Sequence, residues 1–391
     1  MKSKFIKLTM VLPCLLIFNF SIAQTNQQNT LPKWAFGGFV RPQHTNPIIS
    51  PDTNAKFLDP MGNRLKAWEA NYTFNPAATV KGGKVIVLYR SEDKTGVEIG
   101  TRTSRIGYAE SRDGLSFTRK NTPVLYPAND NAKPFEWPGG CEDPRVAVTE
   151  NGTYVMFYTE WNRQVPRLGV ATSKDLITWV KYGPIFRKAY NGKFFTIANK
   201  SASILTKLKG GRQVITKING KYWMYWGDYY VWAATSTNLI DWSPVLDDKG
   251  ELKKILSPRK GYFDSDLTEC GPPALVTDKG ILLLYNGKNH PGEGGDRRFA
   301  GDTYCAGQAL FSLTDPVKVI GRLDVPFFRP MEAFEKSGQY VAGTVFIEGL
   351  AYFKKKWFLY YGCADSRVGV AVFDPEKPAP ADPLPLKAIT H

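Results

Sequence analysis

The sequence predicts an all-β chain folded as a five-bladed β-propeller, and three observations carry that prediction. A short strand ending in aromatic residues recurs five times. A small-residue strand with an Asp or Asn turn follows the first three copies, and no long segment shows the 3.6-residue apolar period of a helix.

The N-terminus stands outside this pattern. Lys2, Lys4 and Lys7 precede an apolar run from Leu8 to Phe20, and Ser21-Ile22-Ala23 forms a small-x-small cleavage site. The run has about 13 residues, too short to span a bilayer. Cys14 follows Leu12-Pro13, a poor match to lipoprotein processing. Residues 1–23 therefore read as a secretory signal peptide and residues 24–391 as a single propeller domain. The product is expected to be exported, periplasmic or secreted, and free of the membrane after cleavage.

The five strand copies follow in order. They are Gly83 to Tyr89, Gly152 to Tyr158, Gly220 to Trp226, Gly280 to Tyr285, and Lys356 to Tyr361. Their closing aromatics are 69, 68, 59 and 76 residues apart, longer than the WD40 period of roughly 40–45 and sufficient for four strands with generous loops. The companion strand and turn read Ile106 to Phe117, Leu168 to Trp179 and Val231 to Trp242, with a degenerate copy from Gly307 to Pro316. A further apolar strand precedes each marker, as in Arg145–Val148, Ala274–Val276 and Leu350–Phe353. A two-domain β-sandwich would not require five similar units; radially packed blades do, because each buries its faces against its neighbours.

Composition bounds the function. Of 391 residues, 43% are apolar and 22% charged, a normal globular balance. Losing the signal lowers the net charge from +15 to about +12, and the remaining lysines are scattered, which argues against nucleic acid. Cys141, Cys270, Cys305 and Cys363 allow one disulfide, whereas three His and no CxxC argue against zinc. No metal or cofactor is expected, and oligomeric state is not readable.

In a propeller the first strand of each blade lines the central channel, so residues at its start converge. Those starts carry Asn75, Glu142-Asp143-Pro144-Arg145, Lys200, Glu269 and Glu348. Converging carboxylates supply the acid and base that glycoside cleavage requires. The competing structural reading makes Asp143 and Arg145 a buried ion pair.

These residues also carry a resemblance. Glu142–Arg145, the Ala-x-Ser-x-Asp turns, Gly271-Pro272-Pro273, Asp315-Pro316 and Tyr360–Asp365 resemble, in order, the motifs of glycoside hydrolase family 130. The resemblance implies a five-bladed propeller acting on β-linked manno-oligosaccharides with inversion, either as phosphorylase or as β-1,2-mannosidase. It implies that Asp143 is the catalytic acid and that Asn75, Arg90, Arg145, Tyr304 and Asp365 lie near the terminal mannose. The other reading of Asp365 is a turn residue capping the next strand.

Glu269 precedes Gly271-Pro272, and Asp228 follows Trp226-Gly227, where phosphorylases of the family carry small and basic residues; Asn286 stands where His is often found. Carboxylates there would repel phosphate and could activate water. The pattern resembles the family's β-1,2-mannosidases, whose pair of glutamates activates water, and implies that Glu269 and Asp228 are the catalytic pair and the activity hydrolysis releasing mannose. Asp228, one methylene shorter than the family's glutamate, is otherwise read as a turn residue. Lys200, which resembles a phosphate-site lysine, keeps a β-mannoside phosphorylase as the alternative. A non-catalytic glycan-binding propeller would also fit the pattern, as would an enzyme acting on arabinans or fructans. The loop Asn289–Asp296 and the segment Leu31–Asn63 are expected to shape the leaving-group side.

Overall fold

A computed structural model describes residues 31–379, so the segment read as a signal peptide lies outside the described residues. The described chain is all-β, with helix confined to single turns such as Lys133–Glu136. Antiparallel meanders follow one another along the chain. The first comprises Tyr72–Lys81, Lys84–Glu92, Ser104–Ser111 and Thr118–Arg119. The second comprises Gly140–Val148, Tyr154–Trp161, Pro166–Ser173 and Val180–Pro184. In the third, Ala202–Lys209 pairs with Lys221–Trp226, followed by Trp232–Ser236 and Ser243–Pro244. In the fourth, Leu267–Cys270 and Ala274–Val276 share the partner Ile281–Lys288, and Tyr304–Phe311 and Val319–Arg322 complete it. The fifth is Val345–Phe353, Lys356–Cys363 and Arg367–Phe373.

The N-terminal segment supplies the missing outer strand of the fifth meander. Val40 exchanges backbone hydrogen bonds of 2.9 and 2.8 Å with Val372, and Ile49 bridges Val368. Leu31–Asn63 thus closes the structure, its Asp52–Asp59 strand pairing with the following Arg64–Glu69, and contributes nothing to the cavity that gathers the candidate residues.

Apolar side chains alternate along each strand, so each meander has two buried faces. Leu88 and Met156 lie in the cluster between the first and second meanders, Phe157 and Met224 between the second and third. Val87 and Tyr360 meet in the cluster joining the fifth meander to the first.

The repeated turns have a common cause. Asp113 Oδ1 accepts the amides of Leu115 and Ser116, while Ser111 Oγ accepts that of Gly114. Asp175 with Ser173, and Asn238 with Ser236, repeat these bonds. The side chain thereby substitutes for a backbone partner at each reversal.

The closing tyrosines have a second, tertiary role. Tyr89, Tyr158, Tyr285 and Tyr361 donate their hydroxyls to Glu69, Glu136, Asp264 and Glu335 at 2.7, 2.8, 2.6 and 2.7 Å. Each carboxylate comes from the segment entering its meander and is paired by Arg119, Lys181, Arg322 or Arg41. The first three bases stand on the outer strand of the same meander, and Arg41 adjoins Val40, which fills that role for the fifth. Gly107 and Gly307 face two of these rings; a Cβ there would fall 2.3 and 2.4 Å from the ring carbons of Tyr89 and Tyr285. The third meander replaces the latch with a ring contact of Trp226 and Trp232 at 4.8 Å. The four cysteines are buried thiols and form no disulfide with one another.

Candidate active site

The inner strands enter the site through irregular backbone. The register of the first meander shifts between Phe74 and Pro76, and that of the second between Glu142 and Arg145. Asn75 and Asp143 at these bulges have φ of 46° and 47°, and Ser201 and Asp365 have 61° and 47°. The left-handed region is sparsely populated by non-glycine residues, and such strain is characteristic of binding and catalytic sites.

These residues meet in one cavity of about 300 Å³. Asn75, Arg90, Asp143, Lys200, Glu269, Asp228, Tyr304 and Asp365 all line it, bringing together eight of the nine residues read as catalytic or substrate-binding in the sequence, and Glu142 lines it beside them. A cavity of about 340 Å³ among the far ends of the inner strands, near Thr79, Val148 and Tyr352, is lined by none of the carboxylates.

One half of the site is organised by Arg90. Its guanidinium lies 4.7 Å from the Phe74 ring centre and contacts Glu92 at 2.6 Å, Glu142 at 2.9 Å and Asp143 at 3.1 Å. Asn75 Nδ2 donates to Asp143 Oδ1 at 2.9 Å. Burial pushes the Glu142 carboxyl up, and Arg90 only partly offsets this. Burial opposes ionisation of Asp143 as well, but Arg90, Lys200 and Arg145 together hold it below its ordinary value. The neighbouring Asp143 adds to the rise at Glu142, so the two adjacent carboxyls titrate as a pair that favours keeping a single proton.

The other half is organised by Lys200. Its Nζ lies 3.3 Å from Glu269 Oε1, and Ser201 Oγ donates to the same oxygen at 2.5 Å. Burial raises the Glu269 carboxyl, Lys200 lowers it, and Asp228 raises it again. Burial works against the Lys200 ammonium, but Glu269, Asp228 and Asp143 keep it protonated well above the usual lysine range. The Asp228 loop is fixed by Gly227, whose amide donates to Lys200 O at 3.0 Å and whose carbonyl accepts from Cys270 N at 3.1 Å. At φ 123°, a Cβ on Gly227 would meet Tyr230 O at 2.1 Å, which excludes other residues there.

Asp365 faces the cavity and is raised to about 7 by burial, with Arg90 opposing. The adjacent turn is held instead by Ser366, whose hydroxyl donates to Ala364 O at 2.9 Å.

Arg145 departs from the sequence expectation. Its side chain, 1% exposed, lies outside the cavity lining and contacts Glu348 Oε1 at 2.9 Å. The Asp143–Arg145 ion pair of the competing structural reading does not form either: Arg145 bonds the Asp143 carbonyl at 3.0 Å, not its carboxylate. Glu348 also lies away from the cavity, and Asn286 brackets the backbone of Ile347 at 2.8 and 3.2 Å. The loop Asn289–Asp296 is pinned by the Asn289 side chain, and the cavity rim comes instead from Ile99-Gly100 and Tyr340. Trp161 and Tyr340 were not singled out in the sequence. Trp161 ends a marker strand three residues beyond Tyr158 and could have been found there; Tyr340 sits in a loop without repeat signal.

Carboxylates, amide and aromatic rings around one mouth define a site of the carbohydrate-processing kind. Residues 40–377 match the family Glyco_hydro_130, described as beta-1,4-mannooligosaccharide phosphorylase. The chain belongs to glycoside hydrolase family 130. It is 32% identical over 312 residues to a 1,2-beta-oligomannan phosphorylase of Thermoanaerobacter sp. (strain X514), covering 78% of this chain and 91% of that relative. A solved structure described by "The GH130 family of mannoside phosphorylases contains glycoside hydrolases that target beta-1,2 mannosidic linkages in Candida mannan" is 62% identical, with TM-score 0.91 over 92% of this chain and 100% of the other. A glycosyl hydrolase from Bacteroides ovatus is 64% identical, with TM-score 0.90 over 92% and 99% of the two chains.

Proposed function

We propose that the chain is a five-bladed propeller that releases mannose from β-1,2-linked manno-oligosaccharides by hydrolysis. Asp143 is the acid, delivering the proton that it shares with the adjacent, raised Glu142 carboxyl, and Glu269 with Asp228 orients and deprotonates the attacking water. One observation carries this reading: the cations lining the cavity, Arg90 and Lys200, already face carboxylates, Lys200 at 3.3 Å from Glu269. Phosphate would have to compete with those carboxylates and suffer the repulsion of Asp228. The 62% identical structure, described in terms of glycoside hydrolases, supports the same reading.

Phosphorolysis is the second reading. The family description and the curated relatives are phosphorylases, and by name they support it better than hydrolysis. Lys200 would then hold phosphate. Export, proposed from residues 1–23, accords better with hydrolysis, since a sugar phosphate is useful inside the cell.

The test is incubation with β-1,2-mannobiose with and without phosphate. Free mannose in the absence of phosphate is expected; strict dependence on phosphate, with a mannose phosphate as product, would establish the second reading. Asp143→Ala should abolish release while retaining oligosaccharide binding, and unchanged turnover would remove Asp143 from the acid role. Release of arabinose or fructose from their polymers would overturn the substrate class.

A further inference from the structure

We propose that Arg145, backed by Glu348, is a positioning residue that sets the spacing between the acid and the groups that activate water. The proposal rests on the roles just assigned to Asp143, Glu269 and Asp228.

Three strands from three meanders meet on this one guanidinium. Arg145 Nη1 donates to the carbonyl of Asp143 at 3.0 Å, on its own strand. Nη2 donates to the carbonyl of Cys270, the residue after Glu269, at 2.9 Å. Cys270 N in turn donates to Gly227 O at 3.1 Å, immediately before Asp228. Backbone positions next to or at all three proposed catalytic carboxylates are therefore joined through Arg145. The Asp143 carbonyl that it holds belongs to a residue at φ 47°, a conformation that needs external support.

Glu348 completes the arrangement from the fifth meander. Its side chain is fully buried, and Arg145 at 2.9 Å is its close ion-pair partner. Neither carboxylate oxygen has a well-directed hydrogen bond among the described residues. A buried carboxylate so sparsely compensated is a poor source of stability, which points to a role in fixing the guanidinium plane. Burial raises its proton affinity; Arg145 opposes this, and Asp143 and Glu269 add to the rise, so its charge is linked to theirs. The planar fork of arginine can bond two carbonyls at fixed angles, whereas a lysine ammonium cannot. Displacements near 1 Å of catalytic groups cost about a hundredfold in rate.

The experiment compares Arg145→Lys, Glu348→Ala and Glu348→Gln with the wild-type chain on β-1,2-mannobiose, with folding followed by circular dichroism. Arg145→Lys and Glu348→Ala should lose about a hundredfold in kcat with KM changed less than about threefold. Glu348→Gln, which keeps an oxygen facing Arg145, should stay within about tenfold of wild type. A kcat for Arg145→Lys within about threefold of wild type overturns the proposal, as does a loss that merely follows the unfolded fraction. If Arg145→Lys does not fold, the Glu348 pair decides: equal effects of Ala and Gln overturn the proposal, and rescue by Gln supports it. A wild-type chain inactive with and without phosphate would instead refute the functional reading. The positioning claim is then judged on crystal structures, where Asp143 keeping its place in Glu348→Ala would overturn it.

Discussion

At Glu269 two influences oppose each other: burial raises the carboxyl's proton affinity, and the Lys200 ammonium 3.3 Å away lowers it. A base must be ionised to work, so activity rises with pH through its pKa and the acid limb of kcat/KM reports that value. Lys200→Gln removes the largest influence that lowers this carboxyl, leaves burial and Asp228 opposed only by Arg145 and the Ser201 hydroxyl, and should move this limb to higher pH by about one unit or more. Glu269→Gln should cost about two orders of magnitude or more in kcat. A limb that stays in place in Lys200→Gln, or a fall of less than about tenfold in Glu269→Gln, would remove Glu269 from the base role.

The turns and latches act at the scale of the element. Backbone amides of Ser116 and Leu115 outweigh burial and hold Asp113 at about 2. A depressed carboxyl contributes stability above its unfolded pKa and loses it as pH falls through about 2 to 4. Asp113→Ala should cost about 1 kcal/mol in urea denaturation at pH 7. Asp113→Asn should cost much less, because Asn238 makes the same bonds in the third meander. Equal costs would show that the turn does not depend on the side-chain oxygen. In the latches, burial raises Glu69 to about 7 despite Tyr89 and Arg119. Its ionisation therefore costs stability as pH rises from the ordinary carboxyl range toward 7. Tyr89→Phe, which removes a donor to the ionised form, should destabilise more at pH 8 than at pH 5, by about 1–3 kcal/mol. Tyr285→Phe should cost less, since Asp264 keeps both Arg259 and Arg322. A pH-independent penalty at Tyr89 would contradict the buried-carboxylate account.

At the scale of the molecule, the sheet succession must be closed, and Val40 with Arg41 performs the closure. Arg41 is held by Glu335 at 2.6 Å, with Glu335 fully buried. Arg41→Ala leaves that buried carboxylate with hydrogen bonds from Tyr361, Met331 and Glu332 but without its paired cation, and should cost about 3 kcal/mol. It should also expose the outer edge of Arg367–Phe373 to pairing with other chains, visible as aggregation below the unfolding transition. Thermal denaturation with light scattering measures both effects, and an unchanged transition would show that closure does not depend on this pair.

The all-β character and the strand starts Asn75, Asp143, Lys200 and Glu269 were legible in the sequence, because strand repeats and turn residues are local and a repeat superimposes equivalent positions; Arg90, Asp228, Tyr304 and Asp365 came from the family resemblance. Asn75 and Asp143 each precede a proline at the start of an inner strand in successive copies, so their convergence follows from repetition. The fate of Arg145 did not. Asp143 and Arg145 are two residues apart, and strand alternation would put both on one face. The bulge between Glu142 and Arg145 breaks that period, sending Asp143 into the cavity and Arg145 against Glu348. The tyrosine latches were equally hidden, since each joins three segments distant in sequence. Local pattern determined which residues form the strands and turns; bulges and contacts between meanders, which depend on the assembled chain, decided which side chains face substrate and which hold the others in place.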